Sequence, residues 1–89
     1  MNKEELRTEL KDRGIRERSY SLEGGSPDER YVLERSRGGW SVFYSERGNR
    51  NDERWFATED EACAEILRQI LADPTTRVHK GPFGIPPRS

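Results

Sequence analysis

Apolar positions first become periodic after Asn2, where Leu6 and Leu10 stand one helical turn apart and Gly14 follows as a stop. Asn2 and Glu5 have the spacing of a capping box, in which the Asn side chain accepts from the Glu amide and the Glu carboxylate accepts from the Asn amide. This pattern predicts a first helix over about Lys3–Arg13, with one narrow apolar stripe and Ile15 packed under its end. Tyr20 and Leu22 then fall in a connection that closes at the breaker Gly24-Gly25-Ser26-Pro27.

From Glu29 the texture changes to β-branched and aromatic residues. Strands are predicted over Arg30–Ser36 and Trp40–Ser45, joined as a hairpin across Arg37-Gly38-Gly39. A loop of Arg37-Gly38, or of the four residues Ser36 to Gly39, sets Arg35 opposite Trp40, Leu33 opposite Val42 and Tyr31 opposite Tyr44. One face is then almost wholly apolar, whereas a three-residue loop would shift the pairing by one and spoil the match. The opposite face carries Val32 and Glu34 beside Ser41, Phe43 and Ser45, a mixed surface expected to be exposed or half covered. The polar run from Ser45 to Asn51 reads as a second, longer connection before a third strand around Glu53–Ala57, with Trp55 and Phe56 on opposite faces.

Thr58 and Glu61 repeat the capping-box spacing. Ala62, Cys63, Ile66, Leu67, Ile70 and Leu71 then recur at the three- and four-residue intervals of an apolar helical face, which Asp73-Pro74 ends. The expected architecture is α+β in two layers: a helix, a three-stranded antiparallel β-meander and a second helix packed on it, with Leu33, Val42, Tyr44, Ile66 and Ile70 at the centre. Residues 1–76 form the single domain. Residues 77–89, rich in Pro and Gly, form a tail that reads either as a flexible terminus or as an extended arm docking through Phe83 and Ile85.

Composition narrows the function more than the fold. With 89 residues there is room for one small domain. Lys and Arg total 16 against 17 for Asp and Glu, and because the charges are interleaved there is no net basic face to displace counterions from nucleic acid. Arg supplies 13 of the 16 basic residues, and Arg with Tyr and Trp is the side-chain set enriched at protein interfaces. A single cysteine, Cys63, closes no intrachain disulfide, and its place in an apolar stripe reads as packing rather than reactivity. The lone His79 completes neither a metal set nor a catalytic triad, and no phosphate-binding glycine loop follows a strand. The chain start has no apolar leader and no window approaches a membrane span, so the cytoplasm is the expected location. No cofactor, metal or enzymatic activity is expected.

Three stretches carry a resemblance: Ser26-Pro27-Asp28-Glu29-Arg30-Tyr31-Val32-Leu33-Glu34-Arg35, Gly39-Trp40-Ser41-Val42-Phe43-Tyr44-Ser45-Glu46-Arg47-Gly48, and Phe56-Ala57-Thr58-Glu59-Asp60-Glu61-Ala62-Cys63. Over about Leu22 to Leu71 the chain resembles small bacterial immunity proteins of polymorphic toxin systems. The resemblance implies a cytoplasmic, non-enzymatic toxin inhibitor that binds a cognate toxin domain and commonly plugs its active site. A small adaptor or regulatory module is the competing class, with nucleic-acid binding behind it. If the partner is a toxin acting on an anionic substrate, carboxylates should face its basic active site. Glu46, Asp52 and Glu53 in the second connection, Glu59 and Asp60 at the second helix, and Trp55, Arg47 and Arg50 beside them are then the expected partner-binding residues.

Overall fold

The computed structural model describes residues 1–25 and 27–77. Helix α1 spans Lys3–Asp12, and both halves of its capping box form: Asn2 accepts from the Glu5 amide at 2.8 Å and Glu5 accepts from the Asn2 amide at 3.0 Å. A 3₁₀ turn at Glu17–Ser19 leads into strand β1, Tyr20–Ser21; β2 spans Arg30–Ser36, β3 Gly39–Glu46, β4 Asn49–Phe56 and helix α2 Glu59–Ala72. A second 3₁₀ turn, Pro74–Thr76, follows where the proline forbids further α-helix. The Phe83 and Ile85 arm lies outside the described residues.

The fold is α+β, but the sheet is four-stranded and mixed, in the order β1-β2-β3-β4, rather than a three-stranded antiparallel meander. The added strand, β1, pairs parallel to β2 with Tyr20 opposite Tyr31 and Ser21 opposite Val32. Two residues are too few to show an alternating pattern, which is why Tyr20 reads as a connection in the sequence. The return between the parallel strands is made in residues 22–29, shorter than the usual crossover of about a dozen. It turns at Gly24, where φ is +74° and the amide donates to the Leu33 carbonyl at 3.0 Å.

The β2–β3 register is the one expected from the sequence, with Leu33 opposite Val42 and Tyr31 opposite Tyr44 across an Arg37-Gly38 loop. The expected long second connection is corrected to a tight turn, Arg47-Gly48, and the third strand of the meander starts four residues earlier, at Asn49. Both two-residue loops place Arg and Gly at positive φ, 51° and 76° in the first and 52° and 81° in the second. This is the mirror-image turn whose twist matches that of the flanking strands.

α2 covers the sheet face that carries Leu33 and Val42, and α1 packs against α2. Leu6, Leu10, Leu33, Val42, Cys63, Ile66 and Ile70 are fully buried in this core. Tyr44 is not at its centre: it is half-buried at the rim, edge-on to Tyr31 with ring centroids 4.8 Å apart. The other sheet face also departs from expectation. Val32, Ser41, Phe43 and Ser45 are all buried there. Arg50 accounts for part of this, because its guanidinium lies 4.2 Å over the Phe43 ring while bonding Glu34 at 2.9 Å and Glu53 at 3.0 Å. The ion pairs hold the arginine over the ring, so a charged side chain serves as a lid on an apolar one.

Candidate functional site

β4 is the long open edge of the sheet, since β3 occupies only one of its sides. Its register slips between Val42 and Tyr44, so that Asp52 and Glu53 together face Phe43, and Asp52 takes a φ of 55°. A bulge and a run of charged side chains are what an edge strand needs to avoid pairing with the wrong chain. The edge is nevertheless open to solvent. Every residue from Asn49 to Trp55 is exposed.

Trp55 is the large hydrophobic side chain left most open among the described residues, at 44% exposure. It is nevertheless fixed. Its indole Nε1 donates to the Ser36 carbonyl at 2.8 Å, and the ring lies so close over Gly39 that a Cβ there would come within 2.4 Å of it. A rigid, half-exposed aromatic with its polar atom already satisfied loses little entropy when a partner covers it.

The structure divides the expected partner-binding residues into three places. Glu46 and Arg47 stand at the β3–β4 turn, whose Arg47 amide is tied to Asp28 at 2.7 Å. Arg50, Glu53 and Trp55 share the sheet face away from the helices, and Asp52 marks the bulge. Glu59 and Asp60 lie beyond the far end of β4 and are engaged within the chain. The Glu59 carboxylate accepts from the Lys3 amide at 2.7 Å, and Asp60 pairs with the Met1 ammonium. They therefore join α2 to the start of α1.

Sequence reading missed the concave part of this surface. On the helix side, where α2 leaves the sheet, a groove of about 650 Å³ opens between β4 and the second half of α2. A second groove of about 490 Å³ runs from there toward the 3₁₀ turn at Glu17–Ser19. The two share Tyr31, Tyr44 and Asp73. No spacing in the sequence reveals this meeting point, because Asp73 reaches the β2–β3 hairpin only after α2 has crossed the sheet.

Tyr31 donates to Asp73 at 3.0 Å, and Asp73 also accepts from the Thr75 amide and hydroxyl at 3.0 and 2.6 Å. Burial works against the Asp73 carboxylate, but these three hydrogen bonds outweigh it and hold its pKa below the ordinary value. Tyr31 is pushed from 10.0 up to about 12, first by burial and then by its bond to Asp73. Cys63 is pushed from 9.0 up to about 11, chiefly by burial and then by Glu59, so the thiol is packed and un-ionised near neutrality.

Both raised groups hold their protons more tightly in the folded chain than in the unfolded one. The stability they support is therefore present below about pH 9 and lost as pH rises through the values near 11 and 12. Asp73 acts in the opposite direction: its contribution is present above the ordinary carboxylate range and lost as pH falls through its lowered value. Urea midpoints followed from neutral to alkaline pH should fall, and Tyr31→Phe and Cys63→Ala should each flatten the decline. An unchanged slope in both variants would contradict these shifts.

Among the described residues no group of three or more His, Cys, Asp or Glu side chains is placed to hold a metal ion. No helix of the described chain is long and apolar enough to cross a membrane. No protein-family model, curated protein or solved structure matches this chain.

Proposed function

We propose that this chain is an immunity protein, a cytoplasmic binding protein without chemistry of its own that neutralises a cognate bacterial toxin domain by covering its active site. The observation that carries the reading is the open edge strand β4 with Trp55 pinned and half-exposed beside it. An eight-residue edge offers main-chain donors and acceptors to a partner strand, and the indole supplies an apolar anchor where the mixed charges provide register. The sequence resemblance described above supplies the class of partner.

The test is co-expression with the product of the adjacent reading frame, which the reading expects to end in a toxin domain. Capture of that domain, with loss of its toxicity, supports the reading; a frame beside metabolic enzymes and capture of one of those would favour an adaptor. Within the complex, Trp55→Ala should cost about 2 kcal/mol or more of binding, roughly thirtyfold in Kd, with the far-ultraviolet spectrum unchanged. Affinity within twofold of the parent would place the interface elsewhere.

A further inference from the structure

We infer that the trough formed by the two joined grooves binds an extended, basic segment of the partner protein, with an arginine or lysine seated over Tyr44 between Glu46 and Asp73. This rests on the proposed function and adds to it a second contact, on the opposite side of β4 from Trp55. The trough is built: Tyr31 and Tyr44 are register partners on β2 and β3, 4.8 Å apart and inclined at 62°, and the Tyr31–Asp73 bond fixes the rim contributed by the chain after α2. An aromatic pair flanked by carboxylates is the arrangement that holds a cationic side chain, through the ring face and the ion pair together.

Charge complementarity selects the occupant. In the larger groove Arg68 is taken up by Glu65 at 2.6 Å and Glu53 by Arg50 at 3.0 Å. Glu46, Asp52 and Asp73 then remain against Arg54 alone, and neither Glu46 nor Asp52 has an ion-pair partner among the described residues. The field at Tyr44 agrees: after burial, Glu29, Glu46, Asp73 and Asp28 all raise its pKa. The smaller groove is more evenly charged, with Arg16, Arg18 and Arg30 among its walls, so the cationic residue of the segment belongs at the Tyr44 end.

The experiment uses amide chemical shifts of the full chain titrated with two blocked peptides, Gly-Arg-Gly-Arg-Gly and Gly-Glu-Gly-Glu-Gly. The arginine peptide should give saturable shifts at Tyr31, Tyr44, Glu46, Asn51 and Asp73, weakened at least fivefold in the double variant Glu46→Gln with Asp52→Asn. Both positions are exposed, so this variant should fold. Absence of saturable shifts there, an equal response to the glutamate peptide, or unchanged affinity in the double variant would overturn the inference. The toxin domain separates the two claims. If it binds parent and double variant equally, the trough is not its contact while the proposed function stands; if no toxin domain is captured but the titration holds, the trough stands and the toxin reading fails.

Discussion

Ile70→Ala is expected to lower the stability of this domain by about 2–5 kcal/mol, the range for truncating a buried large aliphatic side chain. Ile70 is fully buried in the core that unites α1, α2 and the sheet, and its carbonyl accepts from the Thr76 hydroxyl at 3.1 Å and from the Asp73 amide at 3.1 Å. Small domains have a total stability of about 5 kcal/mol or less, so most of the population should unfold under mild conditions. Leu67→Ala, at a half-buried position on the same helix, is the control and should cost less. Urea denaturation of both variants checks this, and a cost below about 1 kcal/mol at Ile70 would show that α2 is not packed on the sheet as described.

The second large effect is expected at Gly39. A Cβ there would stand 2.4 Å from the Phe56 carbonyl oxygen and 2.4 Å from the Trp55 ring, so Gly39→Ala must move both β4 and the indole. Overpacking costs about 1–3 kcal/mol, and loss of the Trp55 to Ser36 hydrogen bond adds about 1. The consequence for function is separable from that for folding. Variant protein that remains folded should show an altered Trp55 emission, measured in a Trp40→Phe background, and a loss of partner affinity resembling that of Trp55→Ala. Parental stability together with unchanged emission would mean that the indole does not lie across Gly39.

These two sites differ in how far they can be read from sequence. The Ile66 and Ile70 spacing identifies α2 because a helix buries one continuous stripe, and the β2–β3 register follows because only one alignment gathers Tyr31, Leu33, Val42 and Tyr44 on a face. β4 is hidden by its own requirements. As an edge strand it is charged along its length, and the bulge at Asp52 breaks whatever alternation remains, so residues 45–51 resemble a loop. The repeated Arg-Gly pair at 37–38 and 47–48 is the one local signal that both are tight hairpin turns. Burial of Phe43 is not legible either, since part of it comes from Arg50, held over the ring by Glu34 and Glu53. The expected site was similarly half visible. Asp52, Glu53 and Trp55 lie on β4 and Glu46 at the end of β3, whereas Glu59 and Asp60 tie α2 to the start of the chain, and the trough at Tyr31, Tyr44 and Asp73 exists only once the helix is laid on the sheet.

Hydrogen–deuterium exchange of the chain alone and in complex with the toxin domain proposed as its partner tests the role of β4 most directly. As an open edge, β4 should exchange quickly at its outward-facing amides in the free chain, and binding should slow exchange over residues 46–56 and at the Tyr31 to Asp73 rim, with α1 unchanged. Protection confined to α1 or to the far side of α2, with β4 exchanging as in the free chain, would contradict the assignment of this edge as the binding surface.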